Sequence, residues 1–147
     1  MKAVIQRVSE ASVTVDENVT GHIGKGLLVL LGVARDDTGE DLEILSTKIP
    51  KFRIFNDEQG KMNLSLADVG GSLLVVSQFT LFGTWRKGNR PGFTGAAPPD
   101  KGEEMYERFV KRMQDQGIQT ETGVFGAMMK VALVNEGPVT FMLDTRP

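Results

Sequence analysis

The segments LLVLLGVA at residues 27–34 and SLLVVSQFTLFG at 72–83 constrain this chain more than any other feature. Each is a continuous apolar run of strand length, which reads as a strand buried on both faces. A strand of that kind needs cover above and below. Behind the first run comes a helical pattern: Thr38 with Asp41 forms a capping-box signature, Leu42, Leu45 and Ile49 recur at helical spacing, and Pro50 marks the limit. Behind the second, a Gly- and Pro-rich passage from Gly83 to Pro99 leads to a helix capped by Asp100 with Glu103. Met105, Tyr106, Phe109, Val110 and Met113 form its apolar stripe, and Gly117 suits its C′ position.

The remaining chain reads as strands. Residues 3–15, AVIQRVSEASVTV, alternate, and Asn18 to Gly26 follow with turn-type glycines, together an opening hairpin. KFRIF at 51–55 is a short strand or extended segment, NDEQGK at 56–61 a turn, and strands over 120–125, 127–134 and 139–144 close the chain. The order is two strands, two strand-then-helix units and three closing strands, β2-(βα)2-β3, an α/β chain of mixed α+β character. Two helices cannot cover both faces of seven strands. The expected architecture is therefore three layers, stacked sheets with helices on one side, and some apolar sheet surface left for a partner subunit; Val139, Phe141, Met142 and Leu143 are candidates for that contact. At 147 residues a single domain, 1–147, buries about two-thirds of its extended-chain surface and needs no staples.

Composition narrows the chemistry by exclusion. With 40% hydrophobic and 24% charged residues and no apolar run near the roughly 18 residues of a membrane span, no membrane association is expected. MKAVIQRV runs straight into strand alternation instead of a signal-peptide core, so a cytoplasmic protein is expected. The lack of cysteine removes disulfides, thiolate metal sites and cysteine nucleophiles together. There is no His/Cys/carboxylate cluster at ligand spacing, no Walker loop and no GxGxxG after a strand, so neither metal nor organic cofactor is expected. A net charge of −2 argues against a broadly basic nucleic-acid grip, and any such contact has to be local. The one histidine, His22, stands in the turn-rich VTGHIGKG, where it reads as a solvated loop residue; a Ser-His-Asp device would have to use it.

Three segments stand out against that background. In SQFT, residues 77–80, two hydroxyls and an amide interrupt a Leu/Val strand, and buried polar groups need partners or a purpose. Either Ser77 and Thr80 bond neighbouring backbone while Phe79 fills core, or the strand end is a pocket in which Gln78 or backbone amides face a carbonyl as an oxyanion site. Thr80 is then a candidate nucleophile, although no residue in the sequence is evidently placed to activate it. WRKGNRP, 85–91, gathers Arg86, Lys87 and Arg90 beside Trp85, either a solvated loop or a small phosphate-contact patch fit for the end of a nucleic acid. NEGPVTF, 135–141, puts a proline between two strand patterns, a residue normally confined to edges, bulges or strand starts.

These segments, with AVIQRV near the start, KFRIF…GKMN at 51–63, KGNRP at 87–91 and ETGVFGAMM at 121–129, resemble the D-aminoacyl-tRNA deacylase family end to end and in order. The resemblance implies a homodimeric editing hydrolase that cleaves the ester between a D-amino acid and the tRNA 3′ end and also clears mischarged glycine. It implies that the Ser77, Gln78, Phe79 and Thr80 strand of one subunit lines the pocket while a cis Gly137-Pro138 dipeptide of the other projects into it. It further assigns Arg7 to supporting that turn and leaves much of the catalysis to the 2′-hydroxyl of the terminal adenosine. A cis X-Pro bond after glycine would turn two carbonyls to the same side, where an L side chain collides and a D side chain or glycine does not. After SQFTL, family members often continue with small residues where this chain has Phe82, Gly83, Thr84 and Trp85, and Gly92 stands where serine is common, differences that concern the loop's RNA contacts. Two other readings remain open: a threonine-dependent esterase for small D-amino-acid esters, and a noncatalytic RNA-end binding module.

Overall fold

The computed structural model describes residues 1–147. Strand β1, Lys2–Val15, turns back into β2, Asn18–Ile23, through Asp16 and Glu17. Both turn residues have positive φ, 47° and 69°, as a two-residue type I′ turn requires. His22 lies within β2, opposite Ser12, on an exposed strand position and not in a loop as its glycine neighbours suggest. Strand β3, Gly26–Gly32, pairs with the first half of β1, from Lys2↔Gly32 to Val8↔Gly26.

Helix α1, Gly39–Lys51, starts with the expected box: the Glu40 amide donates to Thr38 Oγ1 at 3.3 Å and the Thr38 amide to Asp41 Oδ2 at 2.8 Å. Pro50 lies inside its last turn instead of ending it. Proline cannot donate to the carbonyl four residues back, and that carbonyl, Ser46 O, accepts from Gln116 Nε2 at 3.1 Å instead. Because Lys51 is helical, the KFRIF strand shrinks to β4, Phe55–Asn56, which pairs with β5, Met62–Leu64, in a separate two-stranded ribbon. The turn over 57–61 forms as expected, with Gly60 at φ 77°.

Strand β6, Ser72–Ser77, runs parallel to β3 and stops earlier than its apolar pattern, because Phe79–Phe82 winds into a 3₁₀ turn. Helix α2, Pro99–Asp115, is not capped by Asp100 and Glu103: Pro98 takes the N-cap position and Pro99 N1, where its fixed φ starts the helix two residues early. Gly117, at φ 79°, closes it, and the Ile118 amide returns to Met113 O at 3.2 Å. Strand β7, Thr120–Thr122, pairs in parallel with β6. Two closing strands follow α2 where the pattern suggests three: β7 ends at Thr122, residues 123–129 turn through Gly126 at φ 77°, and 130–144 form one long β8 along the outer edge of β1.

The two apolar runs are covered on both faces. Leu27, Val29 and Leu31 of β3 and Leu73 and Val75 of β6 join the cluster beneath α1 and α2, around Leu42, Leu45, Ile49, Met105, Phe109 and Met113. Their alternates Leu28, Leu74 and Val76 enter a second cluster with Val8, Ala11, Val13 and Ile23. What covers that second face is the sheet itself. It curls into a nearly closed barrel, bringing Gly21 of β2 so near β7 that a Cβ there would stand 2.5 Å from Thr122 O. The expected layers are thus opposite walls of one six-stranded mixed sheet, with both helices outside it. Of the residues expected to be free for a partner, Val139 is buried, Phe141 and Leu143 pack on the helix-side cluster, and only Met142, 57% exposed, faces out.

Candidate active site

The site lies at the carboxyl ends of the parallel strands β3 and β6, where open α/β sheets place ligands. Ser77 is the last residue of β6, and the Gln78 amide extends the ladder once more, donating to Leu31 O at 2.8 Å. The chain then leaves the sheet. At the start of the 3₁₀ turn the amides of Phe79 and Thr80 have no partner within the turn. Gly32 allows the close passage, since a Cβ would stand 3.0 Å from Gln78 O.

Ser77, Gln78 and Phe79 form one wall of a cavity of about 650 Å³. The other walls are Leu31 and Val33 from the end of β3, Phe93 and Pro98 before α2, and Phe125, Met129 and Val131 from the β7–β8 turn and the start of β8. Phe79, 55% exposed, meets Phe93 edge-on with ring centres 5.1 Å apart. Thr80 does not line the cavity; its hydroxyl accepts from the Gln78 side-chain amide and so orients it. An amide NH2 cannot accept a proton, so this contact cannot activate Thr80 as a nucleophile. Of the eighteen lining residues Arg35 alone is ionisable, and His22 is not among them. No group of three or more His, Cys, Asp or Glu is placed to hold a metal ion. Behind the site, Tyr106 donates to Val75 O at 3.0 Å, and burial pushes its phenol up to about 12, so it stays protonated.

The second motif sits elsewhere. Between the pairs Gln6↔Thr140 and Val8↔Asn135, residues 136–139 of β8 bulge opposite Arg7 alone. The proline therefore occupies a bulge on an edge strand, where no ladder bond needs its missing amide. The Gly137–Pro138 peptide bond is cis. Gly137, at φ 145°, could carry no side chain: a Cβ would lie 2.7 Å from Val139 Cγ2 and 2.9 Å from Val139 N. Arg7, 9% exposed, donates through Nε to Glu136 O at 2.9 Å and through Nη1 to Ile54 O at 2.8 Å and Asn56 Oδ1 at 3.1 Å. From the edge of the bulge, Asn135 Oδ1 accepts from the Val139 amide at 2.7 Å, and Asn135 Nδ2 donates to Thr140 Oγ1 at 3.0 Å. Gly137 and Pro138 are exposed and line no part of the large cavity. Three strand spacings and about four residues of strand rise separate them from Ser77, roughly 20 Å along the sheet.

The 85–91 loop is closed at its base by Thr84 and Gly92, whose amides and carbonyls pair at 2.8 and 3.1 Å. Trp85, 73% exposed, carries the Arg86 guanidinium over its ring at 5.0 Å, a cation–π contact. Arg86, Lys87 and Arg90 are exposed and outside the cavity lining; the loop adjoins the site through Phe93, which follows its base and touches Phe79. Sequence reasoning missed Arg35, Phe93, Phe125 and Met129. Arg35 left a local signal, a cation directly after an apolar run, and Phe125 and Met129 stand in the ETGVFGAMM stretch that carries the family resemblance; Phe93 reaches the cavity by folding alone.

Comparison with known proteins bears on these features together. The family model described as D-Tyr-tRNA(Tyr) deacylase matches residues 4–144. The chain is 59% identical over 145 residues to a D-aminoacyl-tRNA deacylase of Thermotoga petrophila, covering 99% of this chain and 97% of that protein. It is 58% identical, with the same coverage of both chains, to one of Clostridioides difficile. Its fold matches a solved structure named c-Myc DNA Unwinding Element Binding Protein with a TM-score of 0.93 at 41% identity, over the whole of both chains. A probable eukaryotic D-amino acid tRNA deacylase matches in fold, with a TM-score of 0.81 at 20% identity over 97% of each chain.

Proposed function

We propose, from the premise that this chain belongs to the D-Tyr-tRNA(Tyr) deacylase family, that it is a dimeric editing hydrolase which releases D-amino acids and glycine from the 3′ end of tRNA. Deacylation of D-aminoacyl-tRNA is the activity its relatives' names carry. The observation that carries the finer reading is the chemistry of the cavity: an apolar recess with Ser77 and Gln78 at one wall and no carboxylate or imidazole within it. Such a site can position an ester and polarise its carbonyl but cannot itself take a proton from water. The substrate supplies what is missing. Water adds to the ester carbonyl, the tetrahedral oxyanion is held by amides at the start of the 3₁₀ turn or by the Gln78 side chain, and collapse frees the amino acid and the RNA 3′-hydroxyl. The vicinal 2′-hydroxyl carries the proton from the attacking water to the leaving oxygen. Effective concentration within a bound substrate makes that relay efficient without a triad.

Chirality selection falls to Gly137 and Pro138. In one protomer they lie far along the sheet from Ser77, so the reading needs a second copy to bring its bulge to the first copy's cavity. Support comes from the exposure of the bulge and its fixation by Arg7 and Asn135. Main-chain oxygens held there would exclude an L side chain from the substrate Cα and admit hydrogen or a D side chain. In this arrangement Thr80 acts by orienting Gln78, and Arg86, Lys87 and Arg90 meet RNA outside the cavity.

The test is incubation with matched D- and L-tyrosyl-tRNA and with glycyl-tRNA, following released amino acid. Release from the D- and glycyl forms with the L form intact is expected. Release from the L form at a comparable rate overturns the chirality filter. Saturable RNA binding with no ester loss would instead favour a binding module, a reading to which the nucleic-acid-binding name of one structural relative lends some weight.

A further inference from the structure

Arg35 is the one ionisable residue in the cavity lining, and the deacylase reading gives it no task. It stands where the chain leaves the end of β3. Its amide donates to Gly95 O at 2.9 Å and its Nε to Thr94 O at 3.2 Å, which hold the side chain against the 93–98 segment at the cavity rim. That segment is itself pinned, with Ala34 bridged to Ala96 and the Ala97 amide donating to Val33 O at 2.9 Å. Lys101, in the first turn of α2, donates through Nζ to Arg35 O at 2.7 Å, which brings a second cation to the same rim. Neither cation forms an ion pair. The nearby carboxylate Asp36 is taken by Arg146 at 2.7 Å, and Asp37 is bound by the α-ammonium of Met1 and by Arg146. Arg35 thus lines the cavity with its terminal nitrogens unpaired within the protein.

An amino-acid ester cannot be the partner. Its carboxyl is esterified and its α-amino group is cationic, so Arg35 would repel the reacting end. The anion the substrate does carry is the phosphodiester linking the last nucleotide to the one before it, one sugar ring from the ester. A guanidinium fixed by one nitrogen, with two more presenting parallel N–H groups, suits two phosphate oxygens. We propose that Arg35, assisted by Lys101, binds this terminal phosphodiester and so sets how deeply the aminoacyl end enters the cavity. The inference rests on the deacylase reading and deepens it.

Two minimal substrates separate the possibilities: D-tyrosyl-adenosine, which lacks the phosphate, and D-tyrosyl-cytidylyl-adenosine, which has it. For R35Q we expect kcat/KM on the dinucleotide ester to fall about 10- to 50-fold, mostly through KM, as loss of a charge-assisted bidentate contact implies. On the adenosine ester it should change less than about twofold, and R35K should recover part of the dinucleotide rate because it restores the charge. K101M should give a smaller loss, about threefold, with the same substrate dependence. On full D-tyrosyl-tRNA the salt dependence of log KM should become shallower by about 0.7 for the one single-strand phosphate contact removed. An equal loss on both esters would overturn the proposal and mark Arg35 as an oxyanion donor or a support of the 93–98 loop. An unchanged dinucleotide rate would also overturn it. Failure of the underlying reading looks different: the unaltered protein then hydrolyses none of the three substrates.

Discussion

The Gly137–Pro138 bulge and the Ser77–Thr80 turn are short polar interruptions of otherwise apolar strands, yet they treat their polar groups in opposite ways. In the bulge they are engaged: Glu136 O by Arg7, and the Val139 amide by Asn135, with Gly137 in a backbone conformation that only glycine adopts comfortably. At the turn one side-chain pair, Gln78 with Thr80, is closed, and Phe79 is left half exposed over a cavity. A projecting element that must hold its shape in a neighbour's site needs its hydrogen bonds satisfied beforehand. A receiving site needs some of them free for the ligand. If the bulge enters a second copy's cavity, as proposed, the two regions differ as a key differs from its lock, and the roughly 20 Å of sheet between them is why one chain is not expected to close on itself.

The sharpest way to break this comparison is Gly137→Ala. The added Cβ would press on Val139 in a conformation costing about 1–3 kcal/mol, and turnover of D-tyrosyl-tRNA should drop by about 100-fold or more while the cavity beside Ser77, Gln78 and Phe79 stays intact. Deacylation rate beside a urea unfolding curve checks both, and an unchanged rate would remove the bulge from the site.

Arg7→Met comes next. It leaves Glu136 O and Ile54 O without their charged donor, and stability should fall by about 2–4 kcal/mol in urea titration. Leu74→Ala, in the barrel cluster, is expected to lose a similar amount, about 2–5 kcal/mol. If the bulge is a working part, only Arg7→Met also lowers the rate per folded molecule.

On the receiving side a side-chain substitution should have a smaller effect. Thr80→Ala removes a hydrogen bond that orients Gln78 and should slow hydrolysis less than about tenfold. Replacing the RNA 2′-hydroxyl by hydrogen should slow it by about 10²–10³, as loss of a positioned proton relay does. The reverse ranking would restore Thr80 as nucleophile.

The smallest effect should not distinguish the regions at all. Asp41 lies in neither. Burial opposes its charge, but hydrogen bonds from Thr145 and the Thr38 amide, the α-ammonium and Arg146 outweigh that and hold its carboxyl down to about 2 from 3.8. A depressed pKa stabilises the folded state above the unfolded value, and that contribution is lost as pH falls from about 4 through 2. The loss is on the order of 1 kcal/mol once solvent screening is allowed for. Asp41→Asn should flatten that acid limb of a pH–stability profile and leave the neutral-pH deacylation rate unchanged.

Much of this molecule could be read along the chain. The capping box at Thr38, the stripe of α2 and the double burial of β3 and β6 follow from local pattern, because each depends on residues within a few positions of one another. Misreadings occurred where a distant partner decides. Pro50 stays helical because Gln116, on the other helix, satisfies Ser46 O. The closing strands at 127–134 and 139–144 merge because β1 offers one continuous edge to both. His22 joins a strand because Ser12 pairs with it.

The opening hairpin, the two apolar strands each followed by a helix, the two motifs and the family they signal were determined by the sequence itself, since motif spacing and apolar periodicity are properties of the chain. The curl that buries the second face of the sheet, the cavity walled by Phe93, Phe125 and Met129, and the placing of Arg35 as its one charge were decided only in three dimensions. Each depends on segments tens of residues apart coming to within a few ångströms, and no local pattern encodes that.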